Sequence, residues 1–255
     1  MSKPYGRNVP ISAHRRLVMD LMHFSRKVPS VAIDRPMNLA RVAAARERAA
    51  SPPTWTAIFM KAYALVAARM PQLRQAYLSF PWGRLYEHHS NNGSFNVVRR
   101  DGDEDIIVQA NIRRPENRSL ADLDTLIRTY QEKPLEELVP YCRARRLARL
   151  PWPLRWLTWW GGLNWFGRRR AHNFGTFSVT TVCGHGAGTL HLVALLTSTL
   201  HYGLFDNAGN INMRLTIDHR VLDGVAAAQA LVQLEKVLHT EILAELRGTP
   251  MALAA

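Results

Sequence analysis

Apolar positions along the chain recur at helical spacing in some blocks and alternate in others. Leu17, Leu21 and Phe24 lie three to four apart behind Ser12, which predicts a helix over Ser12 to Phe24 with Ser12 as its N-cap. Ser30 to Leu39 alternates as a strand. Leu39 to Ala50, rich in Ala and Arg, reads as a helix closed by Pro52-Pro53. Thr54 to Met70 is an apolar helix capped by Thr54 or Thr56 and stopped by Pro71. Arg84 to Glu87, Gly93 to Arg99 and Ile106 to Ile112 alternate as strands, the last two joined by the acidic turn Asp101-Gly102-Asp103. Ser119-Leu120-Ala121-Asp122 opens a helix to Lys133 in a capping-box variant. Thr176 to Val182, Thr189 to Leu196 and Ile211 to Ile217 follow as strands, and Val225 to Leu246 as a terminal helix. Strands and helices intermix with no internal repeat, so the pattern predicts one α/β domain over residues 1–255.

The length of 255 residues suffices for a real core, and 47% hydrophobic against 21% charged residues excludes a disordered chain. Cys142 and Cys183 form neither a disulfide framework nor a CxxC pair, and no metal site is expected. Met1 to Pro10 is polar and does not read as a signal peptide, so the expected location is the cytoplasm. The net charge of +13 favours anionic partners: phosphorylated cofactors, an acidic carrier protein, an anionic membrane or nucleic acid. The charge is uneven. Glu137 and Asp206 bracket a stretch without a single acidic residue, which holds Arg143, Arg145, Arg146, Arg149, Arg155, Arg168, Arg169 and Arg170.

Candidate chemistry concentrates at His219-Arg220-Val221-Leu222-Asp223-Gly224, between the strand ending near Ile217 and the terminal helix. An imidazole titrates near neutral pH, and one fixed at a strand end suits proton abstraction from a thiol, alcohol or amine. His14, His88, His89, His172, His185, His191 and His201 carry no such motif and read as structural or surface residues.

Four stretches in this order resemble one family. Asp218-His219-Arg220-Val221-Leu222-Asp223-Gly224 is close to DHRxxDG, and Gly175-Thr176-Phe177-Ser178-Val179-Thr180 is similar to GTFT(I/L)S. Ser119 to Leu123 fits a SLAEI/SLADL helix start, and Ile11 to Phe24 fits an opening helix with a His-Arg pair. The chain thereby resembles the catalytic domain of the dihydrolipoyl acyltransferases of 2-oxoacid dehydrogenase complexes, which shares its fold with chloramphenicol acetyltransferase. The resemblance implies a mixed β-sheet flanked by helices and an acyltransferase that uses a thioester donor, acyl-CoA or an acidic acyl carrier protein. It implies His219 as general base and Thr180 as the hydroxyl that stabilises the oxyanion, with Ser178 and Thr181 one short slip away. Asp223 is expected to pair with Arg15 (or Arg16) as a structural clamp, and Gly224 to allow the turn into the last helix. A homotrimer is implied, in which His219 faces the hydroxyl strand of a neighbour. No tightly bound cofactor is expected; coenzyme A or phosphopantetheine arrives as part of the donor. A non-catalytic trimeric scaffold of the same fold is the alternative.

Three departures from that family bear on substrate. The chain starts close to the catalytic domain, so no swinging lipoyl arm is expected in cis. The Gly184-His185-Gly186-Ala187-Gly188 link is shorter than the family's. The segment from Arg143 to Arg170 is foreign to the pattern and reads as a Trp/Arg-rich insert: Trp152, Trp156, Trp159, Trp160 and Trp165 are five of the chain's seven tryptophans. With Arg155 among them, they fit a headgroup interface and a hydrophobic or membrane-held substrate, through peripheral contact on the inner face of the membrane. They fit equally a core or subunit interface with solvated arginines. Pro151, Pro153, Arg155 and Gly161-Gly162 exclude an ordinary membrane span. Nucleic acid is not an expected partner, since charge comes without a recognition motif.

Overall fold

The computed structural model describes residues 6–182 and 194–248. Its elements are α1 (Ala13–Ser25), β1 (Ser30–Asn38), α2 (Ala40–Arg48), α3 (Trp55–Arg69), β2 (Gln75–Leu78), β3 (Arg84–Glu87), β4 (Asn92–Asp101), β5 (Glu104–Arg113), α4 (Leu120–Glu132), α5 (Val139–Arg149), α6 (Trp152–Asn164), α7 (Gly167–Phe174), β6 (Phe177–Thr180), β7 (Ser198–Phe205), β8 (Asn210–Asp218), α8 (Gly224–Val237) and α9 (Leu243–Leu246). One π-helical turn, Leu238–Ile242, joins α8 to α9. The helix starts follow their caps. Ser12, Thr54 and Ser119 each accept a backbone N–H from three residues on, which satisfies a donor the first turn leaves free.

Six strands form one mixed sheet in the order β1-β8-β7-β6-β4-β5, while β2 and β3 make a separate hairpin. The β6 strand runs parallel to both β4 and β7, and the other pairs are antiparallel. One sheet face is apolar: Phe95, Val97, Phe177, Val179, Leu200, Met213 and Leu215 join α3, α4 and α8 in the main core. Strand periodicity puts polar residues on the opposite face, and the register aligns Ser94, Ser178, Thr199 and Thr216 across four neighbouring strands. The next row aligns Thr180, His201, Arg214 and Asp34.

One expectation changes, and the structure adds two features. The strand expected over Thr189 to Leu196 falls mostly outside the described residues. Ala194 and Leu195 are irregular, and the strand is instead Ser198–Phe205. The Ala194-Leu195-Leu196 run is apolar throughout, whereas β7 alternates Thr199 and His201 with Leu200 and Tyr202. The four-residue strand β2 is too short for a readable period. The Trp/Arg segment is three helices. Its prolines start helices rather than break them, because Pro140 and Pro153 sit in first turns, where a missing N–H costs nothing.

Candidate active site

The candidate site starts where β8 leaves the core. Ile211, Met213, Leu215 and Ile217 bury one face of the strand, and Asp218 ends it fully buried. The Asp218 N–H donates to Thr197 O at 3.0 Å, and its carbonyl accepts from Val221 and Leu222, which closes a tight turn. The Asp218 carboxylate accepts the Arg220 side chain through both oxygens, from Nη2 at 2.7 Å and Nε at 2.9 Å. The Arg220 guanidinium lies 4.5 Å above the Tyr77 ring. His219 sits between these two anchored residues. Its N–H donates to Pro29 O at 2.9 Å, and the residue is exposed. An imidazole on a rigid turn and open to solvent is placed to exchange a proton with a substrate.

Asp223 does not pair with Arg15 within the chain. Its Oδ1 accepts the Ala226 N–H at 2.7 Å, so the side chain is the N-cap of α8. Arg15 lies exposed in the first turn of α1, next to His14, whose Nε2 accepts the Ile107 N–H of β5. That edge of the sheet is the one remote from β8, which explains why the clamp does not form. The ion pair that anchors the histidine turn is Asp218–Arg220. Gly224 is also not needed for its backbone freedom: its φ is not positive, and an added Cβ would meet nothing within 4 Å. The glycine that does need it is Gly175, which follows α7 with a φ of 93°, and where an added Cβ would lie only 2.8 Å from Asn92 O.

Thr180 ends β6 on the polar face, level with His201 and Arg214. That is four residues short of Asp218 on β8, about 13 Å along the strand. One chain therefore does not bring Thr180 to His219. The neighbouring hydroxyls are engaged: Ser178 Oγ donates to Ser94 O and Thr181 Oγ1 to Tyr202 O. Among the described residues the Thr180 hydroxyl has no such bond. Beyond it, Arg214 holds Asp34 with two bonds of 2.6 and 2.7 Å, which keeps the Asp34 carboxyl below its ordinary range.

The Trp/Arg segment divides. Trp159 is buried against Phe24 and Phe174, and half-buried Trp156 and Trp160 pack beside it. Trp152 and Trp165 remain 63% and 42% exposed. Arg155 is not available to a lipid: it is buried in an ion pair with Asp20 of α1. The Gly184 to Gly188 link lies outside the described residues. No described helix is long and apolar enough to cross a membrane, and no metal-ligating cluster occurs among the described residues. Two residues that sequence reasoning passed over, Arg170 and Tyr77, adjoin the histidine turn. The inward spacing of Gly167, Arg170 and Phe174 on α7 was the available signal.

No protein-family model matches the chain, and no curated protein matches it in sequence. Solved structures do match. A probable dihydrolipoamide acetyltransferase from Listeria monocytogenes superposes with a TM-score of 0.65 at 18% identity, covering 98% of each chain. The dihydrolipoamide acetyltransferase of Azotobacter vinelandii gives 0.62 at 20% identity over 93% of each. A chloramphenicol acetyltransferase gives 0.52 at 12% identity over 86% of this chain and 94% of its own. Identities this low establish the fold, and the fold is that of chloramphenicol acetyltransferase.

Proposed function

We propose that this protein is an acyltransferase that moves an acyl group from a thioester to a hydroxyl or amine acceptor. The observation that carries this reading is the exposed imidazole of His219, held at a strand end between two anchored residues on an acetyltransferase fold. In the reaction, His219 takes the acceptor's proton as the acceptor attacks the thioester carbonyl. The resulting oxyanion accepts a hydrogen bond from Thr180 of a neighbouring subunit, since one chain holds the two residues apart. Collapse expels the donor thiolate, and the proton on His219 returns to sulfur. The Azotobacter enzyme was probed at a serine, a histidine and an asparagine four residues beyond that histidine. Here the four-residue step from His219 to Asp223 matches, while threonine stands for serine, aspartate for asparagine, and Thr180 precedes His219 by 39 residues where the serine there precedes its histidine by 52. Asparagine caps a helix as well as aspartate does, which agrees with capping as the task of Asp223.

The donor is acyl-CoA or an acidic acyl carrier protein, as the +13 charge favours. A hydrophobic or membrane-held acceptor is supported by the exposed apolar side chains of α6 and α1. Trp152, Leu154 and Leu157 stand over half exposed, and a cleft of about 330 Å³ between the helices is lined by Ile11, Met19, Phe24, Trp152 and Trp156 together with His23, Arg16 and the Asp20–Arg155 pair. The deciding experiment measures thioester consumption with short- and long-chain acyl-CoA and acyl carrier protein against alcohol and amine acceptors. Transfer that collapses in His219→Ala supports the reading. Full transfer in that variant overturns it, and no turnover with any donor favours a scaffold.

A further inference from the structure

Arg170 is buried to 4% exposure, although it belongs to the arginine-rich segment whose Arg168 and Arg169 are exposed. The first turns of α7 carry it inward on the same face as buried Gly167. Its guanidinium forks between two backbone carbonyls, donating from Nη1 to Tyr77 O at 2.6 Å and from Nη2 to Leu195 O at 2.7 Å. Among the described residues it forms no ion pair of its own. The carboxylate it senses is that of Asp218, already held by Arg220 through two bonds. Asp218 is bonded to Arg220, and Arg170 feels that carboxylate only through space while its own bonds go to the two carbonyls. Burial and the neighbouring Arg220 lower the Arg170 pKa to about 10, against the opposing pull of Asp218.

The geometry ties three pieces of chain to one side chain. Tyr77 belongs to β2 and supplies both a carbonyl to Arg170 and a ring to Arg220. Leu195 leads to Thr197, whose carbonyl takes the Asp218 N–H and whose hydroxyl donates to Gln75 O. Asp218 begins the turn that presents His219. We infer that Arg170 is a positioning residue for His219, a buried brace through which the Trp/Arg segment sets the geometry of the histidine turn. It touches no reacting atom; it acts by fixing Tyr77, on whose ring Arg220 lies, and the Leu195–Thr197 approach, whose carbonyl holds the Asp218 N–H. An arginine suits this because its planar fork spans two fixed acceptors at once, which a lysine ammonium does not. The inference rests on the acyl-transfer reading of His219 for its functional meaning, but its structural half can be tested apart.

Arg170→Met keeps the apolar stem and removes both charge and donors; Arg170→Lys keeps the charge. Both are compared with the parent in the full chain by histidine-selective NMR, with the His219 resonance identified by its loss in His219→Asn. Transfer is followed from acetyl-CoA to a small alcohol or amine acceptor. The Met variant is expected to shift the His219 resonance and lower kcat by about tenfold or more with KM for acetyl-CoA little changed, as a misplaced catalytic group does. The Lys variant is expected to recover part of the loss. An unmoved His219 resonance in a folded Arg170→Met protein overturns the inference whatever the activity. Lower thermal stability with unchanged kcat and pH profile does the same and leaves Arg170 a purely structural residue. If His219→Asn keeps full activity while Arg170→Met still shifts the His219 resonance, the acyl-transfer reading fails and the brace stands.

Discussion

The Asp223 carboxylate accepts the Ala226 N–H at 2.7 Å, so the aspartate of the His-x-x-x-Asp-Gly run holds the first turn of α8. Capping needs an acceptor and not a charge. Asp223→Asn is therefore expected to fold and react much as the parent does, whereas Asp223→Ala loses about 1 kcal/mol of stability in urea unfolding. Combining Asp223→Ala with Arg15→Ala is expected to give additive losses, because the two residues share no bond. A strongly non-additive pair would restore the clamp.

Asp20 and Arg155 join α1 to α6 by a buried ion pair with side chains 11% and 8% exposed. Removing one partner leaves a buried charge without compensation. Arg155→Met is expected to lose about 3–5 kcal/mol, and adding Asp20→Leu to regain most of it, because an apolar pair can replace a buried ion pair at little net loss. Urea unfolding of the two single variants and the double variant checks this. A single-variant loss under about 1 kcal/mol would show that the pair is well solvated and weak.

The fold was legible wherever one face of an element is apolar and a small polar residue stands before it, as at Ser12, Thr54 and Ser119. It was not legible where burial is carried by polar side chains. The strand β7 hides behind Ser198, Thr199 and His201, all buried, while the adjacent Ala194-Leu195-Leu196 run mimics a strand it does not form. The site was half legible. A local run announces His219, but Arg170 and Asp20 are recognised only through partners far along the chain. In Arg168-Arg169-Arg170 nothing but the helical phase of α7 tells which guanidinium turns inward.

His88 is buried beside the Tyr86 ring, and burial, with Arg170 nearby, pushes its pKa down to about 4 from an ordinary value near 6.5. The folded chain thus refuses a proton that the unfolded chain accepts between those values. The His88 contribution to stability is expected to be flat above about pH 6.5 and to fall as pH drops toward 4, by at most about 1.4 kcal/mol per pH unit, with His14 and His172, whose pKa values burial also lowers, adding to the slope. Urea unfolding across that window tests this, and His88→Gln is expected to flatten the slope. An identical slope in the variant would assign the proton uptake to another group.

Trp152, Leu154 and Leu157 expose apolar surface on a helix that belongs to a stretch of sequence, between Glu137 and Asp206, without an acidic residue. The one nearby carboxylate of α1, Asp20, is taken by Arg155. An anionic lipid surface complements both properties. Sedimentation with vesicles is expected to show binding to phosphatidylglycerol mixtures, weakened by salt and weak on pure phosphatidylcholine. Replacing all three side chains by Ser is expected to weaken it at least about tenfold, since each buried side chain of this size contributes about 1.5–3 kcal/mol. Equal binding to neutral and anionic vesicles, or none, would remove the membrane from the account.

Within one chain Thr180 is level with His201 and Arg214, four residues short of Asp218 on β8, and so lies apart from His219. If acyl transfer uses both, each site takes the imidazole of one subunit and the hydroxyl of another. Thr180→Ala is expected to lower kcat by about 100- to 1,000-fold, as loss of one oxyanion donor does, and Thr180→Ser to retain most activity. His219→Asn alone is expected to be inactive. Subunits of His219→Asn and Thr180→Ala, unfolded together in equal amounts and refolded, give mixed oligomers in which some interfaces unite an intact histidine with an intact threonine. With random assembly of a cyclic oligomer about a quarter of the interfaces are of this kind, so about a quarter of parental activity is expected. A mixture as inactive as its components would place the whole site within one subunit, where the register leaves Thr180 too far from His219 to act.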